Sequence, residues 1–124
     1  MVDMIKLTAT LPPSVNHAYY TANNGMRILT DKAKNWMEEV GFFARVEMRK
    51  QKWRYSEDEK IVMELTVYWP DNKRRDMSNL HKLLADAWEK ILYKDDKMLL
   101  IRDMDFSVDR KNPRVEVLIY RKGA

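Results

Sequence analysis

One stretch of the sequence, residues 74–96, constrains the fold more than any other, because it joins a basic loop, an amphipathic helix and an acidic pair. Its apolar side chains recur at intervals of three and four residues, which is the spacing of one buried stripe on an α-helix. They are Leu80, Leu83, Leu84, Ala87, Trp88, Ile91 and Leu92. We therefore predict a helix over Asn79–Leu92 that packs this stripe on a core and presents Asn79, Lys82 and Asp86 on its other side.

Acidic residues flank the predicted helix at both ends. Asp76 precedes it, and Asp95 and Asp96 follow it. Carboxylates grouped beside basic residues are typical ligands of Mg²⁺. Each has an ordinary alternative: Asp76 as a carboxylate favoured by the helix dipole, and the acidic pair as turn residues. Adjacent carboxylates repel each other, however, and this favours a cation beside Asp95 and Asp96.

The length of the helix separates the two acidic groups. About 14 residues with a rise of about 1.5 Å each place Asp76 and Asp96 about 20 Å apart. A Mg²⁺–oxygen bond is about 2.1 Å long, so one ion cannot contact both residues in one chain unless the loops fold back. Two copies packed antiparallel about a two-fold axis would bring Asp76 of one copy to Asp95 and Asp96 of the other. We therefore predict a homodimer through the Asn79–Leu92 region with composite metal sites.

Composition places the chain among globular proteins with one core. The 124 residues are 45% apolar and include four Trp and nine Met, which predicts a single domain over residues 1–124. Cysteine is absent, which excludes a disulfide framework and a thiolate metal site. The sequence lacks a long apolar run, a secretory signal and a Gly-rich phosphate loop. We expect a cytoplasmic protein without a membrane span or an organic cofactor.

Basic residues are clustered along the sequence although the net charge is only +4. The clusters lie within residues 45–54, 73–75 and 110–114. Clustered cations around an acidic centre suit a polyanionic partner. The alternative for any one cluster is a solvated surface.

The remaining patterns predict an α+β domain with a mixed β-sheet and two main helices on one face. Alternating residues, Pro/Gly punctuation and a Thr30 N-cap define its elements. They are a strand over Met4–Leu11, a turn over Ser14–His17, a hairpin over residues 18–29, a helix from Thr30 to about Lys50, and strands over Ile61–Trp69, Met98–Val108 and Val115–Tyr120.

Three short motifs resemble the RusA-type Holliday-junction resolvases, small endonucleases of bacteria and prophages. They are Pro12-Pro13-Ser14-Val15-Asn16, Arg74-Arg75-Asp76-x-x-Asn79-Leu80-x-Lys82 and Asp95-Asp96, and they cover nearly the whole chain in order. The resemblance implies a homodimer that cuts four-way DNA junctions with Mg²⁺ or Mn²⁺ in recombination and repair. It places Asp76 and Asp96 on metal-binding carboxylates and Lys82 on an active-site lysine.

The resemblance assigns a role to Lys82 and suggests DNA contacts. Lys82 would stabilise charge that develops at the scissile phosphate, whereas its ordinary alternative is an i,i+4 pair with Asp86. From its position near the apolar flank of the helix, and not from the resemblance, His81 is expected to be packed in the core or to lie at its rim. The residues expected to contact DNA are Lys73, Arg74, Arg75, Asn16 and Asn79.

One position departs from the family pattern. The family has a second aspartate two residues after the first, and this chain has Ser78 there. A neutral hydroxyl is a poor ligand for a hard cation, so Ser78 binds through water, Asp95 contributes more, or the affinity for metal is lower. Ser78 therefore makes plausible an alternative to a resolvase, a protein that binds branched DNA with weak or no cleavage. A separate alternative is a metal nuclease for flaps or other branched DNA. For a structural partner of phage replication proteins the sequence offers no feature.

Overall fold

The computed structural model describes residues 3–73 and 75–123, and it describes residues 15 and 16 by their backbone alone. The fold is α+β, as predicted. In chain order its elements are β1 (Met4–Ala9), α1 (Val15–Ala18), β2 (Tyr19–Thr21), β3 (Arg27–Leu29), α2 (Asp31–Gln51), β4 (Ile61–Trp69), α3 (Met77–Trp88), a 3₁₀ turn (Asp96–Met98), β5 (Leu99–Val108) and β6 (Arg114–Arg121).

A four-stranded mixed sheet, in the order β1-β6-β4-β5, forms the base of the domain. β6 runs antiparallel to both β1 and β4, whereas β5 runs parallel to β4. Parallel neighbours need a crossover connection, and α3 supplies it. The chain therefore leaves the end of β4, returns along α3 and enters β5 in the same direction as β4.

The core lies between one face of the sheet and the two long helices. Alternate residues of β4 are fully buried on this face: Ile61, Met63, Leu65 and Val67. Trp36 of α2 and Trp88 of α3 are also buried, as their spacing predicts, and the Trp88 indole N–H donates to the Val40 carbonyl at 3.0 Å. This bond and the shared core hold α3 against α2 and the sheet.

The predicted start of α2 is confirmed. The Thr30 hydroxyl accepts the Ala33 N–H at 3.3 Å, which satisfies a backbone donor of the first turn. The predicted hairpin is also present, with Tyr19–Thr21 paired to Arg27–Leu29. Gly25 lies in its turn at φ +83°, a conformation that favours glycine.

Two predicted elements need correction. Ser14–His17, predicted as a turn, instead contains the N-cap residue Ser14 and most of the short helix α1. The Ala18 N–H donates to the Ser14 carbonyl at 2.8 Å. The central helix begins at Met77 and ends at Trp88, four residues before the predicted Leu92. Lys90, at φ 66°, turns the chain after Trp88.

The early end of α3 has a tertiary cause. Leu92 and Tyr93 are buried after the turn, so the apolar stripe continues without the helix. The Trp53 indole donates to the Leu92 carbonyl at 3.0 Å, and the Tyr93 hydroxyl donates to the Ala85 carbonyl at 2.7 Å. These buried contacts require the chain to fold back on α3.

Within the described ranges, no helix is long and apolar enough to cross a membrane.

Candidate active site at the two ends of helix α3

Asp76 is the N-cap of α3. Its Oδ1 accepts the Ser78 backbone N–H at 2.9 Å and the Ser78 hydroxyl at 2.7 Å. The hydrogen bond from the Ser78 hydroxyl and, to a smaller extent, the bond from the Ser78 backbone N–H lower the pKa of Asp76 below its ordinary value. Ser78, the residue that departs from the expected pattern, therefore favours the charged form of Asp76.

A cleft of about 470 Å³ opens beside Asp76. Pro12, Pro13 and Ser14 form one part of its lining, and Arg75, Asp76 and Asn79 form another. The Asn79 amide donates to the Pro13 carbonyl at 3.2 Å, so it joins α3 to a segment 66 residues away in sequence. Its Oδ1 is buried and has no hydrogen-bond partner among the described residues. Two of the three sequence motifs thus meet at one cleft.

The basic loop before Asp76 is partly neutralised within the chain. The Arg75 guanidinium donates to Asp71 Oδ1 at 2.6 Å and lies 5.2 Å from the centre of the Trp69 ring. The bond from Arg75 lowers the pKa of Asp71 to about 2. Lys73 is exposed, and its backbone N–H donates to the same carboxylate at 2.9 Å.

Two residues predicted to contact DNA lie outside this description. Arg74 is not among the described residues, and the Asn16 side chain is not described either. Their predicted contacts with DNA, like those of Lys73, Arg75 and Asn79, stay predictions.

Lys82 projects from the exposed side of α3. Its Nζ lies 5.1 Å from the centre of the Tyr19 ring, and Arg27 of the hairpin lies 4.7 Å from the same ring. Cations placed over an aromatic face are attracted by its negative quadrupole. The hairpin therefore fixes two positive charges beside the middle of α3.

The other end of α3 carries a group of three carboxylates. Oxygen atoms of Glu89, Asp95 and Asp96 all lie within 4.8 Å of one another, and Glu89 and Asp95 are partly buried. Glu89 Oε2 also accepts the Asp96 backbone N–H at 3.0 Å. We call these three residues the acidic triad. The sequence analysis missed Glu89, although its position three residues after Asp86 places it on the acidic side of the helix.

Burial and mutual repulsion raise the pKa values of several groups at this end of the helix. Burial raises the pKa of Asp96, and the negative charges of Glu89 and Asp95 raise it further. Burial and the charge of Asp96 raise the pKa of Asp86, against the opposing effect of Lys82. Burial raises the pKa of the Tyr93 hydroxyl, and the same acidic group adds to the effect. Hard oxygen donors crowded together fit a divalent cation, which would relieve this repulsion.

The chain does not bring the two ends of α3 together. Twelve helical residues span about 18 Å, and Asp76 is not one of the carboxylates grouped around Asp96. Among the described residues, the acidic triad is the one group of three or more side chains placed to share a metal ion. The structure therefore groups Asp95 and Asp96 with Glu89 and leaves Asp76 and Ser78 at the opposite end.

Comparison with known proteins identifies the family. Comparison with curated proteins gave no match. The family model described as Endodeoxyribonuclease RusA matches residues 10–120, a range that includes the cleft, α3 and the acidic triad. Because the match covers nearly all of the 124 residues, the chain belongs to the RusA endodeoxyribonuclease family.

Proposed function

We propose that the protein is a divalent-metal-dependent endonuclease that resolves four-way DNA junctions during recombination and repair. The acidic triad in a member of an endodeoxyribonuclease family is the observation that carries this proposal. The enzyme would act in the cytoplasm of a bacterium and be encoded by the bacterium or by a phage.

The proposed ligands are Asp76, Asp95 and Asp96, with Glu89 added by the structure. Mg²⁺ is the expected ion, and Mn²⁺ should substitute because both accept oxygen ligands. A divalent ion held there would polarise the phosphoryl oxygen and lower the pKa of an attacking water. The Ser78 hydroxyl would contribute to the metal site indirectly, since it donates a hydrogen bond to the proposed ligand Asp76.

The proposed role of Lys82 is to offset negative charge on the phosphate in the transition state. Its contact with the Tyr19 ring supports this role, because it restrains a long side chain near the face of α3 that carries the acids. A restrained cation loses less conformational entropy when it acts than a freely rotating one.

The proposed DNA contacts lie around the cleft beside Asp76. Lys73, Arg74 and Arg75 would contact phosphates, and Asn16 and Asn79 would border the bound strand. Lys32 and His17 also line this cleft and extend its polar rim. Phosphate contacts would position the junction by its shape, without reading the base sequence.

The proposed active form is a homodimer with α3 near the two-fold axis. The described chain supports this, because its two sets of carboxylates lie at opposite ends of a rigid helix. The apolar side of α3 is buried within the chain, so its exposed polar side would face the partner. Each composite site would combine Asp76 of one copy with the acidic triad of the other.

A cleavage assay tests this proposal. Labelled four-way junction, flap and linear duplex are incubated with the protein in Mg²⁺ and in EDTA. We expect paired, symmetric nicks in the junction that require Mg²⁺, and much slower cleavage of the duplex. If the flap is cleaved faster than the junction, the protein is a nuclease for other branched DNA and not a resolvase.

Ser78 favours a second candidate, a protein that binds junctions without cutting them. Its side chain is a neutral hydroxyl that donates a hydrogen bond to Asp76. This position therefore supplies no anionic ligand. A retarded junction band without products at any Mg²⁺ or Mn²⁺ concentration would establish this candidate and exclude the nuclease.

A further inference from the structure

Four exposed cations line an open pocket of about 450 Å³ at the end of α2. They are Arg45, Arg49, Lys52 and Lys90, and we call this cavity the basic pocket. None of the four makes a salt bridge with another described residue. No carboxylate is found among the described residues that line the pocket. Surfaces that serve only solubility intersperse both signs of charge, so this pocket is a concentration of positive charge that the described chain does not neutralise.

The stability of α2 does not account for this arrangement. Cations in the last turn of a helix offset its dipole, and this explains Arg49. Arg45 lies four residues before Arg49, a spacing at which like charges repel each other across one turn. Lys90 comes from the turn after α3. The neighbouring Lys50, in contrast, pairs with Glu47 at 3.5 Å. The fold therefore gathers cations that repel one another, and an anion among them would relieve that repulsion.

The floor of the basic pocket is apolar. Met48 and Ile91 are half-buried there and pack on the core, and Trp53 and Tyr55 complete the lining. Cations around an apolar floor fit a ligand that carries anionic groups and an apolar group together. Free phosphate has the first property without the second.

Nucleic acid fits this floor less well than a peptide does. A phosphodiester backbone has no apolar side chain to bury, and a base needs an exposed aromatic face on which to stack. Trp53 offers no such face, because it is 5% exposed and the Arg121 guanidinium lies 4.2 Å from the centre of its ring. The basic pocket also shares no lining residue with the cleft beside Asp76 or with the acidic triad.

We propose that the basic pocket binds an acidic peptide segment of a partner protein. Carboxylates of the segment would pair with the four cations, and an apolar side chain of the segment would lie on Met48 and Ile91. Guanidinium groups bind carboxylates through two parallel hydrogen bonds, so Arg45 and Arg49 would orient the segment. The proposal goes beyond the nuclease function and does not rest on it, because the pocket lies outside both parts of the candidate active site.

Fluorescence anisotropy with two labelled peptides tests the chemistry of the pocket. The first peptide has four aspartates followed by leucine and phenylalanine, and in the second two serines replace the apolar pair. We expect saturable binding of the first peptide by the full chain, and at least about tenfold weaker binding of the second. No binding of the first peptide, or equal binding of both, would overturn the proposal.

Two charge reversals in one helical turn locate the binding. Arg49→Glu should weaken binding of the first peptide at least about tenfold, since it places a carboxylate in the basic pocket. Lys50→Glu is the matched control, because it changes the net charge equally and Lys50 does not line the pocket. It should weaken binding about twofold or less. Equal losses would show that net charge and not the pocket attracts the peptide, and would overturn the proposal.

Lys90→Asn keeps the test informative if Arg49→Glu fails to fold. Asparagine tolerates the φ of 66° that Lys90 adopts, so the substitution removes one charge without straining the turn. Binding of the first peptide should weaken several-fold. Unchanged binding would overturn the proposal, which requires cations from both segments.

Competition with DNA decides between a peptide and a DNA arm as the occupant. Linear duplex is added to the complex of the protein with the first peptide. We expect the peptide to stay bound, and Arg49→Glu to bind duplex no more weakly than Lys50→Glu does. Release of the peptide by the duplex, or a loss of duplex affinity specific to Arg49→Glu, would assign the pocket to DNA and overturn the proposal. Peptide binding by a wild type that cleaves no junction would refute the nuclease and retain the peptide site.

Discussion

The two ends of α3 carry carboxylates in opposite electrostatic states. At the start of the helix, two donors from Ser78 lower the pKa of Asp76. At its end, burial and the neighbouring carboxylates raise the pKa of Asp96. The protein's own groups stabilise the first anion, and the second is left among like charges. We infer that the acidic triad supplies most of the affinity for a cation and that Asp76 supplies a positioned ligand.

The largest expected effect is the loss of cleavage when either end is neutralised. Asp76→Asn and Asp96→Asn should each slow single-turnover junction cleavage at least about a hundredfold, since each removes a charged ligand. Asp76→Asn should still bind junctions, because it removes a negative charge near phosphates. Asp58→Asn, an exposed substitution away from α3, is the control. Undiminished cleavage by Asp76→Asn would show that Asp76 is not part of the active site.

The next effect distinguishes the two ends by their affinity for metal. Glu89→Gln should lower the affinity for Mn²⁺ about tenfold, measured by calorimetry on the protein without DNA. Asp76→Asn should change it less, because Asp76 lies outside the acidic triad. Glu57→Gln is the matched control, since Glu57 is exposed on the loop before β4. Equal affinities for wild type and Glu89→Gln would show that Glu89 is not a ligand.

A moderate effect is expected where this chain departs from its family. Ser78→Asp adds a carboxylate beside Asp76 in the favourable first turn of the helix. It should raise cleavage several-fold at limiting Mg²⁺ and have little effect at saturation. Ser78→Ala is the comparison, because it removes the hydroxyl bond and should raise the pKa of Asp76 in a carboxyl NMR titration. No change in that pKa would mean that the Ser78 hydroxyl does not hold Asp76.

The smallest expected effect is on stability without metal. The pKa of Asp96 is higher in the folded than in the unfolded state, so its contribution to stability is lost as the pH rises from about 3.8 through the raised value. Asp96→Asn should abolish this loss and raise the free energy of unfolding at neutral pH by up to about 0.5 kcal/mol. Asp76 has the opposite sign, since its contribution is lost as the pH falls. Urea denaturation in EDTA measures both contributions when it extends from neutral pH to below the lowered pKa of Asp76.

Local patterns predicted most elements because those elements obey local rules. The Thr30 cap, the β4 alternation and the stripe from Leu80 to Trp88 each depend on spacing within one segment. The predicted end of α3 was wrong because the observed end depends on contacts with other segments. The apolar spacing runs on to Leu92, but buried bonds to Trp53 and Ala85 make the chain turn after Trp88.

The acidic triad was only partly predictable. Asp95 and Asp96 are adjacent in sequence and therefore conspicuous, whereas Glu89 lies six residues before Asp95 with a turn between them. That turn depends on the positive φ of Lys90 and on the burial of Leu92 and Tyr93.

The sequence by itself determined the fold class, the family resemblance and the separation of Asp76 from Asp96, because helix rise and residue spacing are local quantities. Only the tertiary structure decided that Glu89 joins the acidic pair. That grouping depends on the turn after Trp88, which is stabilised by buried hydrogen bonds from Trp53 to Leu92 and from Tyr93 to Ala85. Trp53 lies 39 residues from Leu92 in the chain, and no local pattern specifies such a contact.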